Sequence, residues 1–304
     1  MCTTTKSTAA DNTTPSSETE DWRGETINGG SLRHVDLNGY NGWASPPGEL
    51  FNLRSKHYLS KKTKCPAGDY FLRPTAVDWL RSPAKLEHVL SRADNRVMHV
   101  LRDRHVRGEF LKTFVFAVNL QVPGREHHSA VFYFSTDEPI QQGSLLDRFI
   151  NGDDSFRNSR LKLVNRIVKG PWIVKTAVGN YSACLLGKAL TCRYHRGPNY
   201  LEVDVDLSSS KIAGAMVHLA LGYVTTVSVD MGFVVEAQSE EELPEKLIGA
   251  VRICQMEMNA AAFVDSNIAS SNVVGVGVGL VKSGLAKVNH VDGESEITDS
   301  NHVS

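Results

Sequence analysis

Cysteine is scarce and scattered. The five, Cys2, Cys65, Cys184, Cys192 and Cys254, are widely spaced and form no C-x-x-C pair. An odd number at such spacing fits reduced thiols better than a disulfide framework or a zinc site. An excess of either charge is missing too: 33 Lys and Arg stand against 34 Asp and Glu, for a net charge of -1. That balance argues against a dedicated nucleic-acid binder, which carries a basic excess, and leaves room only for a local basic patch. No uncharged apolar stretch is long enough for a membrane helix, and the mean hydropathy is -0.23. The opening residues Met1-Cys2-Thr3-Thr4-Thr5-Lys6 lack both the apolar core of a secretory signal and the glycine that myristoylation requires. A cytoplasmic location is therefore expected. The G-x-S-x-G, H-E-x-x-H and G-x-x-x-x-G-K-[ST] signatures are absent as well, so no nucleophile elbow, zinc-protease helix or phosphate loop announces a catalyst.

What is present is an ordinary globular composition. In 304 residues and 33.4 kDa, 41% of side chains are hydrophobic and 22% charged, enough for a sizeable core. Residues 1–40 are rich in Thr, Ser, Asp and Glu and read as a disordered segment, because they bury too little to offset ordering. Residues 260–304 turn small, polar and Gly-rich and read as a flexible tail. The run Val273-Val274-Gly275-Val276-Gly277-Val278-Gly279 lies there, without the spacing of a dinucleotide loop. The dense block between them, 41–259, reads as one domain.

Its strands alternate with period two. Leu201, Val203, Val205 and Leu207 alternate with Glu202, Asp204, Asp206 and Ser208, which predicts one buried and one wet face. Phe114, Phe116, Val118 and Leu120 follow the same rule, as do Val227, Val229, Met231, Phe233 and Val235. Val131-Phe132-Tyr133-Phe134 and Trp172-Ile173-Val174 are apolar throughout, as central strands are. Gly197-Pro198-Asn199 reads as the turn of a hairpin. A helix after Ser208 would lay Ile212, Met216, Leu219 and Ala220 on the sheet. Ser144 would cap a short helix burying Leu146, Phe149 and Ile150. The capping box Ser239-Glu240-Glu241-Glu242 would open another, carrying Leu243, Leu247, Ala250, Cys254 and Met258. The sum is an α+β domain: a large, curved, mainly antiparallel sheet with helices packed on one side.

Candidate chemistry is thin. Glu126-His127-His128 offers a metal-ligand pair or a plain loop. Glu202, Asp204 and Asp206 stand about 7 Å apart along a strand, a spacing open to acid/base work or a cation, and equally to outward charge paired with Lys or Arg. Neither amounts to a metal or cofactor site, and a non-enzymatic role is expected. The most basic stretch holds Arg157, Arg160, Lys162, Arg166, Lys169 and Lys175, interleaved with Leu161, Leu163, Val164, Ile167 and Trp172. Of these, Arg157, Arg160, Lys162, Lys169 and Lys175 suit anionic headgroups at a membrane surface; a solvated face is the bland alternative. The aromatic strands admit two readings. Phe114, Phe116, Phe132, Phe134, Trp172, Val174 and Met231, covered by Met216 and Leu219 of the helix, would line an apolar cavity for a fatty acid or phospholipid, or would simply be a solid core.

One ordered series of motifs adds a resemblance. Gly42-Trp43-Ala44-Ser45-Pro46-Pro47-Gly48, Arg54-Ser55-Lys56-His57-Tyr58-Leu59 and Lys64-Cys65-Pro66-Ala67-Gly68 open it. Asn119-Leu120-Gln121-Val122-Pro123-Gly124, Phe156-Arg157-Asn158 and Gly170-Pro171-Trp172-Ile173-Val174-Lys175 continue it. Leu185-Leu186-Gly187-Lys188-Ala189-Leu190, Gly197-Pro198-Asn199-Tyr200-Leu201-Glu202-Val203-Asp204-Val205-Asp206 and Glu242-Leu243-Pro244-Glu245 close it. Together they resemble the C-terminal domain of the plant enhanced disease resistance 2 proteins. Larger members of that family join this domain to a pleckstrin-homology and a START domain, and they restrain defence and cell death at endomembranes and the plasma membrane. Residues 1–40 can hold neither extra domain, so a stand-alone copy is expected. The resemblance implies lipid-linked regulation and names no catalytic residue. Two functions lead: a lipid-binding or lipid-transfer module with an apolar cavity, or a protein-interaction domain with a solid core and a basic membrane-facing surface; an enzyme built on Asp204, Asp206 and the His127-His128 loop comes third.

Overall fold

Strand-forming runs dominate the computed structural model, which describes residues 22–106, 112–179 and 181–268. In chain order the strands are β1 (Arg33–His34), β2 (Gly42–Ala44), β3 (Asn52–Arg54), β4 (Lys64–Pro66), β5 (Arg73–Ser82), β6 (Phe114–Val122) and β7 (His127–Thr136). They continue with β8 (Leu161–Lys169), β9 (Tyr181–Leu185), β10 (Thr191–Arg196), β11 (Tyr200–Asp206), β12 (Ser228–Val235), β13 (Leu247–Cys254) and β14 (Ala262–Phe263). The helices are α1 (Trp22–Asn28), α2 (Tyr58–Lys61), α3 (Arg96–Val106), α4 (Leu145–Asn151), α5 (Asp154–Arg160), α6 (Trp172–Val178), α7 (Leu186–Ala189) and α8 (Lys211–Gly222).

One sheet runs β1-β2-β13-β12-β8-β9 and a second runs β10-β11-β6-β7-β5-β14, with β3 and β4 as a separate ribbon. All pairings are antiparallel except β1 with β2, β11 with β6 and β5 with β14. The α+β class and the mainly antiparallel pairing are those expected from the sequence; the strands divide between two sheets instead of forming one.

Alternation dictates how the sheets are covered. Val77 and Trp79 of β5, Phe116 and Val118 of β6, Phe132 and Phe134 of β7, and Leu201, Val203 and Val205 of β11 share a core with Phe233 of β12 and Ile248 and Val251 of β13. Burying each such side chain contributes about 1.5–3 kcal/mol. The residues between them, Ala76, Val115, Ala117, Val131 and Tyr133, form a second layer with Val97, Met98 and Leu101 of α3 and Trp22 of α1. The second sheet is therefore buried on both faces. Beyond the first sheet, Phe51, Leu53 and Ala67 pack on Val164, Val234, Leu247 and Ala250.

Local chemistry sets several element ends. The Ser144 hydroxyl accepts from the Asp147 N–H and starts α4, which buries Leu146, Phe149 and Ile150 as expected. Asp153 caps α5 in the same way. The turn at Gly197-Pro198-Asn199 joins β10 to β11 in an antiparallel pair.

Four expectations are corrected. Trp172-Ile173-Val174 is not a strand but the first turn of α6, started at Pro171 and closed by Gly179 at φ 87; proline before and glycine after a short run favour a helix over its β-branched content. The capping box at Ser239 is present yet holds only a single 3-10 turn, Glu240–Glu242. Pro244, lacking an N–H, stops it, and Leu247 to Cys254 form the fully buried strand β13. The helix after Ser208 exists as α8, but Ile212 is 71% exposed instead of lying on a sheet. Finally, part of the segment expected to be disordered is folded, because Trp22 and Leu32 supply it with buried anchors. The Val273–Gly279 run lies outside the described residues.

Candidate functional site

The cavity candidates are mostly packed interior. Phe116, Phe132, Phe134 and Val174 are buried, and Phe114 and Met231 are half-buried against the main core. The Phe132 and Phe134 ring centroids lie 5.9 and 5.7 Å from Phe233 of the facing sheet, and Phe116 lies 6.4 Å from Phe134. These are separations of aromatic rings in contact, with no room for an acyl chain between them. Gly249 of β13 sits directly beneath the Phe134 ring, where a Cβ would collide with it. Trp172 is 76% exposed and so cannot line an interior cavity. Leu219 is half-buried on α8, and the Met216 side chain lies outside the described part. Two clefts lie elsewhere. One of about 680 Å³ opens between the β6–β7 turn and the end of α8, beside Gly124, Arg125, Glu126 and His218. Another, of about 540 Å³, is lined by charged groups including Arg23, Arg73 and Asp137.

The acidic strand is not the wet face its alternation predicts. Glu202 is 0% and Asp204 2% exposed, because residues 83–95 fold over this side of β11. Glu202 accepts the N–H groups of Val89 at 2.6 Å and Leu90 at 2.8 Å. Asp204 accepts the His88 N–H at 3.0 Å, Asn119 Nδ2 at 2.8 Å and His195 Nε2 at 2.9 Å. The imidazoles of His88 and His195 stack at 4.4 Å, and His88 Nε2 meets the Tyr200 hydroxyl at 2.8 Å. Burial, then the Asp204 charge, push the Glu202 carboxyl well above its ordinary range. Burial would raise Asp204 also, but hydrogen bonds from His195 and the His88 N–H outweigh it and hold Asp204 low. Together the two carboxyls fasten the backbone of residues 88–90 to β11. Asp206, nearer solvent, pairs with Lys85 at 2.6 Å. His127 and His128 are strand residues of β7, with His128 stacked on Trp79 at 4.9 Å. Among the described residues no group of three His, Cys, Asp or Glu is placed to hold a metal ion.

The basic run divides in two. Arg157 is buried and donates to the Phe149 and Ile150 carbonyls at the end of α4 and to Asp154. Arg160 bonds Glu242 at 2.5 Å and the Glu236 carbonyl. Burial would raise Glu242, but hydrogen bonds from Arg160, the Gln238 backbone and Arg148 hold it down to about 2. Lys162 is buried against Glu245 and Glu236. These three side chains are internal fastenings, not headgroup ligands. Lys169 is exposed, with its Nζ 3.1 Å from Gln255 Oε1, and Lys175 is half-buried on α6.

The latter two flank an apolar outcrop. Val174 plugs α6 into the interior, and two residues earlier on the helix is about 200° away, so Trp172 turns outward. Ile173 and Val168 are 38% and 37% exposed. Helix α8 lies alongside α6, with Lys211 and Ile212 both exposed. The sequence pattern places Trp172 in a cavity wall and Ile212 on a sheet, whereas the structure exposes both. Pro171 and Gly179 around a seven-residue run were the available signal.

The fold and site thus define a two-sheet, helix-covered domain with a closed aromatic core and an apolar–basic outcrop at α6 and α8. Residues 43–257 match the family described as Protein ENHANCED DISEASE RESISTANCE 2, C-terminal, and the chain belongs to that family. It is 45% identical over 233 residues to the Arabidopsis thaliana protein named Protein ENHANCED DISEASE RESISTANCE 2-like, a match covering 76% of this chain. The match spans 31% of that relative's length. No solved structure matches the chain. Among the described residues no helix is long and apolar enough to cross a membrane.

Proposed function

We propose that this chain is a non-enzymatic regulatory domain that meets lipid at its surface, as a peripheral contact, and not in an interior cavity. The contact of Phe132 and Phe134 with Phe233 across the two sheets carries this reading, since it fills the space an acyl chain would need. The carboxylates open to acid/base work are already occupied by backbone N–H groups, which supports a non-catalytic role. The relative's printed name places that protein in disease resistance, and a plant defence context is proposed for this chain on that ground. The membranes concerned would be the cytoplasmic faces of endomembranes or the plasma membrane. The test is flotation of the full chain with phosphatidylcholine vesicles, with and without about a quarter phosphatidylserine. Binding to the anionic vesicles alone, weakened by salt, is expected. Binding to neither kind overturns the reading.

A further inference from the structure

We propose that α6 and α8 form a single membrane-inserting face, with Trp172 and Ile212 seated in the interfacial layer and Lys169, Lys175 and Lys211 on anionic headgroups. This rests on the surface-lipid reading above and names the site. Three apolar side chains, Trp172, Ile173 and Ile212, are exposed on these neighbouring helices, and Val168 is exposed near the end of β8, just before α6 in the chain. The charge on the two chain segments that supply them is of one sign. From Ser155 to Leu201, and again from Leu207 to Val229, the chain holds no Asp or Glu, and both windows supply this face. Among the described residues Lys169, Lys175 and Lys211 form no ion pair that would already neutralise them.

An indole is suited to such a place: its ring is apolar and its N–H seeks a polar partner, which the headgroup layer provides. Lysine stems lie along apolar surface while the ammonium reaches the phosphates. Each lysine near an anionic surface strengthens binding by about fivefold. The two clefts named above take none of their lining from Trp172, Ile173 or Ile212. The face therefore offers tips to be immersed instead of a pocket to be filled, and an anionic lipid surface is the occupant its chemistry fits.

The chain carries its own probe. Of the four tryptophans, Trp22, Trp43 and Trp79 are buried, and only Trp172 is open to a water-borne quencher. Iodide quenching of the full chain should report Trp172 and be suppressed by vesicles containing phosphatidylserine, not by phosphatidylcholine alone. Trp172→Phe should keep most of the binding while abolishing the iodide-sensitive emission. Trp172→Ala with Ile212→Ala should weaken flotation at least tenfold at an unchanged unfolding midpoint, both side chains being exposed. Lys169→Gln, Lys175→Gln and Lys211→Gln together should weaken it about a hundredfold. Flotation with Trp172 still fully quenchable would overturn this face while leaving surface binding intact. Protection that depends on protein concentration and not on vesicles would assign the face to a second copy and overturn it also. Absence of flotation would remove the underlying reading and this inference with it.

Discussion

Truncating Phe134 separates a packed core from a cavity wall. The ring is fully buried, lies against Phe116 and Phe233, and rests on Gly249 of the facing strand. Phe134→Ala would remove most of that contact and leave a hole that two hydrogen-bonded sheets cannot collapse to fill. The loss expected for such a site is about 3–5 kcal/mol. A domain is stable by about 5–15 kcal/mol in all, so the variant should fold with a much lower urea midpoint and an unchanged m-value. Phe134→Leu, which keeps most of the volume, should lose only about 1–2 kcal/mol. A ring lining an empty cavity makes few contacts on its open side, and its truncation is correspondingly mild. A loss below about 1.5 kcal/mol for Phe134→Ala, with m unchanged, would refute the closed core.

Other consequences are equally direct. Glu202→Ala leaves the buried N–H groups of Val89 and Leu90 without acceptors and should cost about 2–4 kcal/mol, with faster amide exchange at those two residues; protected amides in the variant would contradict the fastening role. Burial, and then the facing His195, hold His88 below its ordinary value of 6.5. The unfolded chain therefore binds that proton more readily, and stability from this site falls as pH drops below about 6.5. Asp204's contribution persists to lower pH and is lost below its ordinary 3.8, whereas Glu202, being raised, changes with the opposite slope above 4.5. His88→Asn, which tolerates the left-handed φ of 50 found there, should flatten the slope of the urea midpoint between about pH 7.5 and 5.5. An unaltered slope would show that this imidazole does not set it.

Local pattern made the strands legible, and the reasons it failed elsewhere are physical. Alternation along Leu201 to Asp206 correctly separated an apolar from a polar side of β11. It could not say that the polar side is dry, because that depends on backbone N–H groups of His88, Val89 and Leu90, far away in the chain. The Ser144 cap was readable since donor and acceptor lie three residues apart. The Ser239 capping box was just as readable, but the proline five residues on decided the outcome. Trp172-Ile173-Val174 looks like strand by composition, and only its Pro171 and Gly179 flanks argue for helix. Arg157, Arg160 and Lys162 read as a basic surface because their partners, the α4 carbonyls, Glu242 and Glu245, are joined to them by the tertiary fold. Phe116, Phe132 and Phe134 read as interior from alternation and composition, and they are; whether an interior is filled is a matter of facing side chains such as Phe233, which no single strand reveals.

If the core is filled, lipid is met only at the surface. Native mass spectrometry of the full chain after incubation with mixed lipids, backed by organic extraction, tests this most directly. The bare 33.4 kDa mass and no acyl chain in the extract are expected. A stoichiometric fatty-acid or phospholipid adduct that survives transfer to the gas phase would contradict the filled core and restore an interior cavity.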